Sequence, residues 1–214
     1  MVSILKLLII GIIIAAYFYI KNQVVQDSRA RKVGKAGEDK IAQVLATIPD
    51  GKIFRNLYVI KPNGKSTEID LAFLTKYKLY IIESKNYNGS ILGKPSDSHW
   101  VVRYRNGKTF SFYSPVLQNN GHVNAIKSTL GLNDSIICPV IVFGSSSDIS
   151  NVKGVDNCIK VDELVQFIYS QDRASFGMIS PQYMLGIEQT LISMTNVSET
   201  VKTKHIQQVK RYNR

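Results

Sequence analysis

Residues 68–86 read EIDLAFLTKYKLYIIESKN, and the way this stretch divides decides the fold. LAFL and LYII are short apolar runs with a polar TKYK between them. That pattern predicts two strands, 67–74 and 79–85, joined tightly as an antiparallel hairpin. Residues two apart on a strand project from one face, so Glu83 and Lys85 share a side and Ser84 takes the other. Asp70 lies inside the first strand and comes near Glu83 if the register allows. Charges in segments that should be burying themselves are either surface positions or parts of a site.

Working outward, KIFRNLYVI at 52–60 predicts a further strand, with KPNGKS as the turn into the pair. Before it, GKAGEDKIAQVLATI at 34–48 places Ile41, Val44, Leu45 and Ile48 at helical spacing. This predicts a helix opening after Gly37 and ended by Pro49-Asp50-Gly51. On the other side, HWVVRY and TFSF flank Asn106-Gly107, a signal for a hairpin with a type I′ turn. PVLQNNGHVNAIKSTLGL begins with Pro115 and predicts a helix, and VDELVQFIYS predicts a shorter one. Between them SIICPVIVFG is a continuous apolar run, as expected of a strand covered on both faces. The order predicts an α/β fold with helices packed on a mixed sheet.

The chain has 214 residues and a formal charge of +11, which favours contact with polyanions, either nucleic acid or anionic lipid. Cys138 and Cys158 lie in apolar stretches and read as small buried residues, not a disulfide framework. Residues 2–20, VSILKLLIIGIIIAAYFYI, are apolar apart from Ser3 and Lys6. About 20 helical residues rise about 30 Å, the thickness of a bilayer core. A cleaved signal peptide would want a basic start, a shorter apolar region and a small-x-small exit. This segment ends in Tyr17-Phe18-Tyr19-Ile20, which favours an uncleaved anchor, with Lys6 reaching the headgroups along its stem. Lys21, Arg29, Arg31, Lys32 and Lys35 follow, opposed by Asp27 and Glu38. That excess predicts a single-pass protein of the cell membrane whose soluble domain is cytoplasmic, and unpaired cysteines agree with a reducing compartment.

Two carboxylates and an ammonium on one patch have a chemical use. Asp70 and Glu83, helped by the Ser84 carbonyl, offer hard oxygen ligands to Mg²⁺ or Mn²⁺. Such a cation relieves the repulsion between the acids, polarises a phosphodiester and acidifies a bound water. Lys85 would orient that water or stabilise developing negative charge; acting as a base would require a depressed pKa. A cross-strand ion pair on a solvated face explains the same residues, and this pattern alone does not choose between them.

The wider pattern resembles the PD-(D/E)xK nuclease superfamily and, within it, the nuclease-related domain (NERD) family. The resemblance covers about residues 33 to 145. It rests on Gly37-Glu38, Glu68-Ile69-Asp70, Ile82-Glu83-Ser84-Lys85-Asn86 with Gly89 behind, Trp100, and Ser114-Pro115-Val116-Leu117-Gln118. It implies a restriction-endonuclease-like mixed β-sheet flanked by helices, and cleavage of nucleic acid dependent on Mg²⁺, with Mn²⁺ as substitute. By position it implies Asp70 and Glu83 as metal ligands and Lys85 as the catalytic lysine. Glu38 would approach the metal from the first helix, and Gln118 would position the substrate or a ligand from the later one. Ile69 stands where the superfamily's name puts Pro, Leu71 where relatives often carry His, and Ser114 where Asn is usual.

The resulting expectation is a membrane-anchored metal-dependent nuclease, acting on DNA ahead of RNA. The alternative is a catalytically silent, membrane-tethered nucleic-acid-binding or scaffolding module. The expected division is an anchor at 1–21, a juxtamembrane linker at 22–33, the nuclease-related domain at 34–175 and a helical, basic tail at 176–214. Glu38 could merely complement a helix N-terminus, and Gln118 could satisfy backbone groups near a helix start. Glu68 reads as a surface strand position, His122 as an ordinary polar face residue and Trp100 as packing. The lysines of TKYK and the arginines of VVRYRNGK read as solvated loops, and no groove-reading motif suggests base specificity.

Overall fold

The computed structural model describes residues 2–61, 63–175 and 177–212. Pro62 of the expected turn, the Lys6 side chain and the last two residues of the basic tail lie outside the described residues. The chain falls into two compact units, Met1–Ala36 and Gly37–Arg214. One helix, α1 (Val2–Leu45), runs through the boundary. The helix therefore does not open at Gly37, and residues 22–33 are helical. In the first unit the apolar side chains, among them Leu8, Ile9, Ile12, Ile13 and Phe18, are exposed. By length and composition α1 is a candidate membrane span: its most apolar window has a mean hydropathy of 1.8 and none of it is buried.

The second unit is a mixed α/β fold with two mixed sheets. The larger holds β1 (Lys52–Ile60), β2 (Ser66–Leu74), β3 (Leu79–Lys85), β7 (Ile137–Phe143) and β9 (Cys158–Lys160), in that spatial order. β1, β2 and β3 pair antiparallel, while β7 joins β3 and β9 joins β7 in parallel. The smaller sheet runs β6-β5-β4-β8, from β4 (Ser90–Gly93), β5 (His99–Arg103), β6 (Thr109–Tyr113) and β8 (Asp148–Val152). Its members β4 and β8, like β9, are short and carry too little periodicity to be read from sequence.

Helices cover both faces of the larger sheet. On one face Ala125 and Ile126 of α2 (Pro115–Leu130) and Ile187, Leu191 and Met194 of α4 (Pro181–Thr195) pack on Phe54, Leu57, Ile69, Ala72 and Ile81. On the other, Ile41 and Leu45 of α1 and Leu164 and Ile168 of α3 (Leu164–Arg173) pack on Leu71, Phe73, Tyr80 and Ile82. Both faces of β7 are covered, as its uninterrupted apolar run predicts. Trp100 is fully buried under the small sheet, its indole parallel to the Phe143 ring, so it packs. Both cysteines are free. The hairpin at Asn106-Gly107 departs from the expected type I′ turn, because outside glycine only Asp50 and Asn56 have positive φ among the described residues. Gly107 alone takes the left-handed conformation there, at φ 79°, and Asn106 instead accepts the Lys108 N–H on its side chain at 3.1 Å.

Candidate active site

The strands β2 and β3 pair from Leu74↔Leu79 to Leu71↔Ile82 and then part. One more step would set Asp70 opposite Glu83. Instead β3 continues along β7 as far as Lys85↔Phe143, while β2 continues along β1 as far as Ser66↔Ile60. The sheet thus forks where its charged residues begin. On the other side of Asp70 the β1–β2 ladder skips the pair Asn56/Asp70, and Asn56 has φ 53°, a region that asparagine tolerates better than most residues. The alternation of faces slips at this point. Ile69 and Ala72, three residues apart, both face the α2–α4 layer, as do Phe54 and Leu57 across from them. Asp70 therefore does not meet Glu83 on one regular face, as simple alternation implies; it reaches across the fork, where Oδ2 accepts the Ser84 N–H at 3.0 Å.

Glu83 is buried, with 1% exposure. Its Oε1 accepts Lys85 Nζ at 2.5 Å and its Oε2 lies 3.1 Å from His122 Nε2. A carboxylate only accepts, so His122 Nε2 donates to Glu83, while Nδ1 pairs with Thr67 Oγ1 at 3.0 Å. Lys85 Nζ also donates to Gln118 Oε1 at 3.1 Å. Ser114 caps α2 by accepting the Leu117 N–H, with Pro115 in the first turn. Gln118 and His122 then stand one turn apart on the face over β3. Asn119 fixes the depth of that face, donating to the Ile81 and Val140 carbonyls at 3.0 and 3.1 Å.

Glu38 comes in from α1. A Cβ at Gly37 would lie 2.8 Å from Asn86 Cβ, so only glycine lets the helix approach the end of β3 this closely. Glu38 is half-buried and 3.9 Å from the Arg55 guanidinium, which also bonds Asp39. Glu68 is no simple surface position. It accepts the Tyr58 hydroxyl at 2.8 Å and faces His205 of α5 (Glu199–Tyr212) at 3.7 Å. That helix is held on β2 through Gln208, which both donates to Ser66 O and accepts Ser66 N–H.

Charge in the fork is unevenly settled. Burial, and then the Glu83 charge, push the Asp70 carboxyl well above its ordinary range. Burial works the same way on Glu83, but the Lys85 ammonium and the His122 hydrogen bond outweigh it and hold that carboxyl low. For Lys85, burial is outweighed by Glu83 and Asp70, so its pKa is raised and it stays an ammonium. Burial also raises the Glu38 carboxyl, with Glu68, Asp39 and Glu83 opposing the relief from Arg55.

Among the described residues no three of His, Cys, Asp and Glu form a ready-made metal group. The donor types nevertheless suit a hard cation: the carboxylates of Asp70, Glu83 and Glu38 and the carbonyl of Ser84. Asp70 lacks enough positive charge around it, which a divalent ion would supply. Both oxygens of Glu83 are engaged, so binding there would require Lys85 to yield Oε1. The sequence reads His122 as an ordinary polar face residue, whereas it is a buried partner of Glu83; Asn119 carries no signal beyond its place one residue after Gln118.

The sequence model of a family described as nuclease-related domain matches residues 33–144. An uncharacterized protein of Bacillus anthracis is 29% identical over 125 residues, a segment that spans 58% of this chain and 58% of that relative's length.

Proposed function

We propose, from the premise that the chain belongs to the nuclease-related domain family, that it hydrolyses phosphodiester bonds of nucleic acid, DNA ahead of RNA, while anchored in the cell membrane. The observation that carries this reading is the fork itself, which gathers Asp70, Glu83, Lys85 and Gln118 at one break in the sheet. Asp70, Glu83, the Ser84 carbonyl and Glu38 would hold Mg²⁺, or Mn²⁺ in its place. When bound, the cation supplies positive charge that polarises the phosphodiester and acidifies an attacking water.

The chain's own groups do the rest. Lys85, kept protonated by Glu83 and Asp70, donates to the negative charge that grows on the phosphate oxygens. Gln118 accepts from that ammonium and so fixes where it points, leaving its amide N–H groups for the substrate. His122 orients Glu83 through the oxygen that Lys85 does not use. The basic run after residue 20 would keep the soluble unit on the cytoplasmic side.

A second reading, a catalytically silent nucleic-acid-binding or scaffolding module, draws on one observation: Glu83 has both oxygens engaged. The test uses the full chain in detergent micelles with labelled single- and double-stranded DNA and RNA. Cutting should need Mg²⁺ or Mn²⁺ and stop with chelator. Lys85→Ala should abolish it while binding stays within about threefold. If folded wild-type protein cuts none of the four substrates with either metal, the silent reading replaces this one.

A further inference from the structure

Beside the acid–amine cluster lies a cleft of about 410 Å³ that the proposed reaction leaves unused. Gln118 and His122 form part of its wall and also belong to the cluster, so the cleft opens directly beside Lys85 and Glu83. Three other elements complete it. The β1–β2 turn brings Lys61 and Lys65, the end of β6 brings Tyr113, and α5 brings His205 and Gln208. Glu68 is on the wall too, but its Oε1 is taken by the Tyr58 hydroxyl.

The lining has the chemistry of a nucleotide. Ammonium groups meet phosphate oxygens. An exposed aromatic ring gives a base a surface to stack on, and Tyr113 is 51% exposed, with His99 set edge-on at 5.9 Å. The volume decides how much of a nucleic acid fits. It lies near the lower end of the range for single small molecules. In a double helix each base is stacked between its neighbours and offers Tyr113 no free face, so a duplex base does not enter the cleft without being unstacked. The far wall, α5, lies beyond the segment 33–144 that matches the family.

We infer that this cleft seats one nucleotide of a single strand, the base against Tyr113 and the phosphate toward Lys61 and Lys65, with the backbone leading on to Lys85. The C-terminal helix then helps to select single strands. The inference rests on nucleic acid being the substrate of the neighbouring cluster.

The experiment is fluorescence anisotropy on the full chain in detergent, with chelator present so that nothing is cut. The ligands are a labelled single-stranded DNA 12-mer, its RNA counterpart and the matched DNA duplex. Single strands should bind at least tenfold more tightly than the duplex, and comparing DNA with RNA shows which sugar the cleft prefers. Tyr113→Ala should weaken single-strand binding about tenfold, consistent with the loss of one stacked base. Its salt dependence should stay unchanged, and Tyr113→Phe should bind like wild type. Lys61→Ala and Lys65→Ala should each lower the salt slope by about 1. Equal binding of duplex and single strand, or an unchanged affinity in Tyr113→Ala, overturns the inference while leaving the nuclease reading intact if wild type still cuts. Failure of wild type to bind any of the three ligands overturns both.

Discussion

Replacing His122 with alanine removes one imidazole and two hydrogen bonds, and the structure sets the size of the effect. His122 is 4% exposed and the glutamate it serves 1% exposed, so in the intact chain water does not reach Glu83, and water entering from the cleft would replace the lost donor only in part. Removing one partner of a buried charged pair costs about 3–5 kcal/mol when the remaining charge is stranded. Here Lys85 still holds Oε1, which brings the expectation down to about 2–3 kcal/mol, in line with one unsatisfied charged acceptor and the loss of the Thr67 bond. For a folded unit of this size about 1 kcal/mol moves Tm by about 2–4 °C. The expected fall is therefore about 4–12 °C, read from near-UV circular dichroism of the full chain in detergent. His122→Gln, which keeps a donor, should lose about half as much. If His122→Ala melts within about 1 °C of wild type, the chain Thr67–His122–Glu83 does not support the site, and the account of how Glu83 is held is refuted.

Two further outcomes follow from the backbone and the thiols. Asn56→Gly should leave the urea midpoint close to wild type, whereas Asn56→Val should cost about 1–2 kcal/mol, because a β-branched residue resists positive φ; equal midpoints would show that the slip at Asp70 does not depend on this conformation. Burial pushes the thiols of Cys138 and Cys158 up to about 11 and about 12, so at pH 8 a disulfide reagent should label the native chain far more slowly than a free thiol of pKa about 8.5. Because the folded chain holds these protons past the unfolded value, their contribution to stability is intact below about pH 8.5 and is lost as pH rises toward 11 and 12. Rapid labelling at pH 8 without denaturant would contradict the burial of Cys138 and the partial burial of Cys158.

How much of this is legible in the sequence differs by element. The strand pair around TKYK, the continuous run of β7 and the capped start of α2 are read directly, because each carries its own local signal: alternation, an unbroken apolar stretch, or Ser-Pro before a periodic run. Asp70 lies outside that logic. Its side chain reaches across the fork at the point where Asn56, on another strand, takes a left-handed conformation, and no periodicity records that. His122 has a helical neighbour in Gln118, but its partner Glu83 is 39 residues away, and only the docking of α2 makes a polar face residue into a buried donor. Glu68 looked like a solvated strand position until α5 closed over it, a contact bridging 137 residues between Glu68 and His205. Residues 22–33 are polar, and polarity alone does not tell a loop from a helix.

Gln208 has a consequence of its own. Beyond Asp70, β2 has lost β3 as a neighbour, and a strand border left open in this way is a template on which a foreign chain can pair. The carboxamide of Gln208 offers Ser66 one acceptor and one donor, the same two groups a peptide unit would offer. A single side chain thus stands in for the absent strand, and the split in the sheet is closed, at its outer lip, to intruding polypeptide.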